Sequence, residues 1–105
     1  MKKYQNKVDA IFKKYGWEYW PPFSILARLF EEGGEFARLV NHMYGPKKKK
    51  STEAKQNLEH EIGDILYTLI CFANSNNINL DRAIEKSIAT ALGRDKTRWR
   101  KKSKK

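Results

Sequence analysis

Residues 25–43 read "ILARLFEEGGEFARLVNHM", and the kind of structure that can hold this stretch decides the fold. Ile25, Leu29, Glu32, Phe36 and Leu39 recur at steps of four and three, which puts them on one stripe of an α-helix. Glu32 stands on that stripe where an apolar residue is expected, and Glu35 follows one turn later on the same side. Gly33 and Gly34, between them, each cost roughly 1 kcal/mol relative to alanine in a helix interior. A carboxylate on a core-facing stripe costs more unless something pairs with it. A stretch that breaks local rules twice in four residues is expected to be a site.

The rest of the chain extends this helix into a bundle. Pro22 or Phe23 opens it, since proline is tolerated in a first turn. Leu26, Leu29, Phe30, Phe36, Ala37, Val40 and Met43 carry an apolar stripe along it, and Gly45-Pro46 is a strong stop. Upstream, Val8, Ile11 and Phe12 at helical spacing predict a short helix over residues 5–15, broken by Gly16, Pro21 and Pro22. Downstream, "KKKKST" reads as a loop in which Ser51 or Thr52 caps a third helix. Leu58, Ile62, Ile65, Leu66, Leu69, Phe72 and Ala73 hold the helical period up to "NSNN". Asn77 or Asn79 then caps a fourth helix with a face of Leu80, Ala83, Ile84, Ile88 and Leu92. No segment alternates polar and apolar residues over the length of a strand. The expectation is an all-α, antiparallel bundle of about four helices, its core completed by oligomerisation.

Composition bounds what such a bundle can be. At 105 residues, 40% apolar and 12% aromatic, the chain is one globular domain. Cys71 is the single cysteine, so no intrachain disulfide forms and a cytoplasmic location is expected. "MKKYQNKVDA" has no apolar run of the kind a signal peptide needs. The longest apolar stretch, residues 65–73, is about half the length needed to cross a bilayer. The net charge of +10 is unevenly spread: residues 47–50 supply four positive charges and residues 96–105 seven more. That leaves 11 basic residues against 12 acidic ones elsewhere. A near-neutral domain over residues 1–95 and a basic C-terminal tail over 96–105 are therefore expected, with the like charges solvated in loop and tail.

The third helix repeats the anomaly of the second. Leu58, Glu61, Ile65, Thr68 and Phe72 form its stripe, and Asp64 follows Glu61 at i+3. Two helices expected to pack together thus each present an i, i+3 carboxylate pair beside the packing face. Four negative charges in a partly dry volume raise one another's pKa values, and divalent cations relieve this. An all-carboxylate oxygen set suits Mg²⁺ or Mn²⁺; zinc favours His or Cys. His42 and His60 do not share the acids' spacing and are read as surface or core-edge residues. Glycines at 33, 34 and 63 are expected to let the acid-bearing helices approach closely and leave room for metal and ligand.

These residues resemble the all-α NTP pyrophosphatase superfamily, and within it the MazG-like branch, whose signature is ExxE, a variable spacer, then ExxD. Here it reads Glu32-Gly-Gly-Glu35 and Glu61-Ile-Gly-Asp64. "EIGDILYTL" followed by "INLDRAIEK" is the most specific part, and "YGWEYWPPFSILARLF" is similar to the approach to the second helix in some members. The resemblance implies hydrolysis of a nucleoside triphosphate to a monophosphate and pyrophosphate, dependence on Mg²⁺, and a homodimer or homotetramer. It implies Glu32, Glu35, Glu61 and Asp64 as metal ligands, with Glu31 holding an outer-shell water or serving as a base. Two departures stand out. Many members carry Lys-x-x-x-Asn on the last helix, where this chain has Lys86 followed by Thr90, so phosphate contacts fall to Lys86 or to Arg94, Lys96 or Arg98. Gly33 stands where a larger residue is common.

Trp17 and Trp20 have two readings: they stack on a nucleobase, or they pack the loop onto the bundle. Trp99 is expected to pin the end of the last helix. Two rival functions remain at this level. Phosphoribosyl-ATP pyrophosphatase shares the EExxE pattern, although "EIGD" and "INLDRAIEK" favour the MazG-like branch. A basic helical nucleic-acid-binding protein would use residues 47–50 and 96–105, and leaves the acids on the core stripe unexplained.

Overall fold

The computed structural model describes the backbone of residues 1–45 and 52–104 and the side chains of residues 1–45 and 57–94. Four helices follow in order: α1 (Lys2–Tyr15), α2 (Pro22–Tyr44), α3 (Thr52–Ser75) and α4 (Leu80–Lys104). There is no strand among the described residues, so the all-α expectation holds. The capping role expected of Ser51 or Thr52, the side chains of residues 47–50, Lys96 and Arg98, and the pinning role of Trp99 lie outside the described residues.

The helix ends have identifiable causes. Gly16 takes the left-handed conformation, φ 69°, and its N–H donates to the Lys13 carbonyl, which closes α1 as a glycine cap does. Pro22 sits in the first turn of α2, where its missing N–H costs nothing. At the other end a Cβ on Gly45 would collide with the Asn41 carbonyl oxygen, so glycine suits the exit. Between α3 and α4, Asn77 adopts φ 56° to make the turn. Asn79 Oδ1 then accepts from the Arg82 N–H at 3.0 Å, the expected cap of α4. Helix α4 runs across the boundary expected after residue 95 and continues to Lys104.

Helices α2 and α3 form an antiparallel pair. Ile25 shares a cavity with Thr68 near one end of the pair, and His42 shares a groove with Asn57 towards the other. Ile25 and Ile70, with Ala73, are the apolar side chains fully buried among the described residues. The inner stripe of α2 is the one beginning at Ile25. Leu26 and Phe30, expected on the packed side, instead face outward, Phe30 at 73% exposure. The face of α4 formed by Ile84, Ile88 and Leu92 is also exposed, and α4 meets the other helices only marginally among the described residues.

Helix α1 crosses α3, and polar contacts fix it there. Gln5 is buried; its Nε2 donates to Asn74 Oδ1 at 3.0 Å and to the Ile78 carbonyl at 2.9 Å. Its Oε1 accepts from the Leu80 N–H at 3.0 Å, which satisfies an amide that the first turn of α4 leaves without a partner. Asn74 Nδ2 donates to the Gln5 carbonyl and to Tyr19 Oη, and Tyr19 donates to Asp9 Oδ1 at 2.9 Å. Burial, with Asp9 alongside, pushes the Tyr19 phenol up to about 12, so it remains a donor throughout the physiological range. This network ties the loop after α1 to α3. Gln5→Ala strands the Ile78 carbonyl and the Leu80 amide, and is expected to lower stability by about 1–3 kcal/mol in denaturant unfolding. A change below about 0.5 kcal/mol, the range of ordinary surface substitutions, would contradict that role.

Candidate metal centre

The antiparallel pairing brings acids of α2 and α3 to one place. Glu32, Glu61 and Asp64 each offer a carboxylate oxygen, and the three atoms lie within 4.8 Å of one another. The Glu32 side chain is only 9% exposed. Glu32 Oε1 and Glu61 Oε1 are buried without a hydrogen-bond partner. Buried acceptors of this kind are normally satisfied, so two side by side need an explanation. Burial first, and then the charges of Glu35, Asp64 and Glu32, push the Glu61 carboxyl up from its ordinary value. The donor set is all oxygen and anionic, which fits a hard divalent cation.

The remaining residues singled out in the sequence lie outside this three-residue cluster. Glu35 stands outside it, exposed, in a groove with Arg38, Leu39, His42, Asn57 and Glu61. Glu31 is exposed on α2. His42 and His60 are both exposed, as expected, but His60 Nε2 lies 3.4 Å from Asp64 Oδ2, an i, i+4 contact that sequence reading passed over. Lys86 and Arg94 are exposed on α4 and line neither this groove nor the cavity described next.

The glycines require a correction. A Cβ built on Gly33, Gly34 or Gly63 would meet nothing within 4 Å. Close approach of α2 to α3 is therefore not why they are glycines; the space beside them is open within this chain.

Next to the acids lies a cavity of about 410 Å³ whose lining includes Phe12, Trp17, Trp20, Arg28, Tyr67 and Cys71. Such a volume with a mostly apolar, aromatic wall is typical of small-molecule sites. Phe12 organises it: its ring stacks on Tyr19 at 4.3 Å and meets Trp17 edge-on at 5.5 Å. Trp17 also stacks on Tyr15 at 5.2 Å, so it packs the loop onto α1 while still lining the cavity. Arg28 connects cavity and acids. Its guanidinium carbon lies 5.3 Å from the Trp20 ring centroid, and its Nε donates to Glu32 Oε2 at 3.1 Å. Sequence reading missed Arg28, although its i, i+4 relation to Glu32 was a usable signal.

Comparison with known proteins now places the chain. Residues 21–99 match the MazG nucleotide pyrophosphohydrolase domain. The chain belongs to that family. It is 45% identical over 102 residues to YpjD of Bacillus subtilis (strain 168), covering 97% of this chain and 92% of that protein. YvdC of the same organism is 34% identical over 80 residues, covering 70% of this chain and 76% of YvdC. The crystal structure of B. subtilis YpjD superposes with a TM-score of 0.73 at 42% identity, over 86% of this chain and 90% of that one. A Bacillus-conserved MazG protein, described as a nucleotide pyrophosphohydrolase, superposes with a TM-score of 0.72 at 39% identity, over 85% of each chain. This MazG chain is thus an enzyme of the nucleotide pyrophosphohydrolase class, all-helical like its structural neighbours. Among the described residues no helix is long and apolar enough to cross a membrane.

The electrostatics of the MazG cluster have a measurable consequence. The Glu61 carboxyl titrates higher folded than unfolded, so folding favours its protonated form. That advantage is present below the unfolded value and is lost as pH rises through the folded one. Glu61→Gln keeps a neutral group at every pH. In EDTA the variant is expected to be more stable than wild type at pH 7, with the gain shrinking as pH falls and the wild-type carboxyl takes up its proton. Thermal melts at pH 7 and below decide it; a variant less stable at pH 7 would contradict the repulsion.

Proposed function

We propose that this MazG protein hydrolyses a nucleoside triphosphate between its α and β phosphates, giving a nucleoside monophosphate and pyrophosphate. One observation carries the reading: two buried, unpartnered carboxylate oxygens, on Glu32 and Glu61, in a cluster shared with Asp64. Acceptor-only groups without a donor call for a cation, and a triphosphate brings one with it.

Glu32, Glu61 and Asp64, with Glu35 from the adjoining groove, would hold Mg²⁺, and Mn²⁺ would serve in its place. When bound, the metal supplies charge neutralisation at the phosphoryl oxygens and a more acidic water. Glu31, exposed one residue before Glu32, would hold an outer-shell water or accept the attacking water's proton. The water oxygen adds to phosphorus as the bridging α–β P–O bond breaks, and the pyrophosphate leaves with the electron pair. The aromatic cavity beside the acids suits the base, with Trp17 and Trp20 as its stacking walls. Lys86 and Arg94 of α4 would contact the phosphates.

The same reading includes a homodimer or homotetramer. Ile84, Ile88 and Leu92 on α4, together with Phe23 and Phe30 on α2, are large apolar side chains left uncovered. A second copy covering them would complete the core and bring α4 cations towards the acids.

The test is a panel of canonical and modified triphosphates, with phosphoribosyl-ATP as one member, assayed with Mg²⁺ for pyrophosphate and orthophosphate separately. Pyrophosphate release from at least one triphosphate is expected, with no turnover in excess EDTA. Asp64→Asn, which removes a ligating charge at nearly constant volume, is expected to lower kcat at least about 100-fold while the helical circular dichroism is unchanged. Orthophosphate release alone, or full activity in EDTA, would overturn the proposal.

A further inference from the structure

Arg28 is where the aromatic cavity and the carboxylates meet. An arginine 45% exposed, paired with a solvated acid, would contribute little. Its partner here is the Glu32 side chain, nine-tenths buried, and the two oxygens of that carboxylate are treated differently. Oε2 accepts from Arg28 Nε at 3.1 Å, while Oε1 is buried and accepts from nothing. A ligating carboxylate offers one oxygen in a defined direction only when the group as a whole is held, usually through its second oxygen. The guanidinium donates its Nε–H to Glu32 Oε2, and its central carbon lies over the Trp20 ring, 5.3 Å from the centroid. A planar, weakly hydrated guanidinium is better suited than a compact ammonium to make both contacts at once.

We propose that Arg28 is a positioning residue of the metal centre, holding Glu32 Oε2 so that Oε1 is kept for a divalent cation shared with Glu61 and Asp64, and itself held by the ring of Trp20. The inference rests on reading the carboxylates as a metal site, and it links the wall of the cavity to the orientation of a metal ligand. Its consequence has a sign opposite to that of simple electrostatics. A positive charge beside a dication repels it. If Arg28 merely neutralised Glu32, removing it would tighten cation binding. If Arg28 positions Glu32, removing it weakens binding in spite of the lost repulsion.

The experiment measures Mn²⁺ binding directly, by the electron paramagnetic resonance signal of free Mn²⁺, on the full chain without nucleotide. Wild type, Arg28→Met, Arg28→Lys, Trp20→Leu and Glu61→Gln are compared, with circular dichroism as the check on folding. Arg28→Met is expected to weaken Mn²⁺ binding tenfold or more. Arg28→Lys is expected to fall between it and wild type, because lysine keeps a cation for Glu32 but spans Glu32 and the Trp20 ring together less well. Trp20→Leu weakens binding less than Arg28→Met. Unchanged or tighter binding by Arg28→Met, while Glu61→Gln binds weakly, overturns the positioning role and leaves the metal site standing. No binding by wild type, or undiminished binding by Glu61→Gln, overturns the metal site and this inference with it. If Arg28→Met does not fold, Arg28→Lys and Trp20→Leu decide, and wild-type affinity in both overturns the proposal.

Discussion

The antiparallel seating of α2 on α3 is the constraint on which everything else in this MazG chain depends. One stripe on each helix does the packing, and each stripe carries an acid in an apolar position: Glu32 on α2 and Glu61 on α3. Registering the apolar residues necessarily registers the acids, so the contact that builds the core also concentrates negative charge. Arg28 offsets part of that charge from one side and His60 touches it from another, yet Glu32 Oε1 and Glu61 Oε1 remain buried without donors. The helices pack while leaving two buried acceptors unsatisfied among the described residues.

The cavity beside the acids depends on a second set of interactions, more distant in sequence. Gln5 and Asn74 lock α1 across α3, and Tyr19 and Asp9 carry the lock into the loop that bears Trp17 and Trp20. Because Phe12 stacks under Tyr19 and against Trp17, the aromatic wall stands on α1 rather than on loose chain. The wall therefore holds its shape only while the polar network holds. Fold stability at the α1 end and the geometry of the aromatic cavity are coupled in this way.

Helix periodicity and punctuation made most of the architecture legible from the residues. Pro22, Gly45 and Asn79 mark helix ends for local reasons that a short window of sequence contains. The acids were legible because a carboxylate on an apolar stripe violates a pattern. Part of what escaped notice lies beyond any local window. Gln5 meets Asn74 across 69 positions, and nothing in either neighbourhood announces the other. Arg28 is four residues from Glu32, but such pairs are common on solvated helix faces, and only the burial of Glu32 gives this one its weight. The glycines at 33, 34 and 63 were read as spacers for helix approach; a Cβ at each meets nothing, so sequence alone identified the oddity and misjudged its cause. The apolar face of α4 was legible as a face, and Ile84, Ile88 and Leu92 on it are exposed in the structure.

Whether the carboxylates of α2 and α3 hold a metal, as we propose, is decided by anomalous scattering from crystals soaked in Mn²⁺. The account predicts an anomalous peak within ligand distance, about 2.0–2.3 Å, of oxygens from Glu32, Glu61 and Asp64. Strong manganese peaks elsewhere on the molecule, with none among these three side chains, would contradict it.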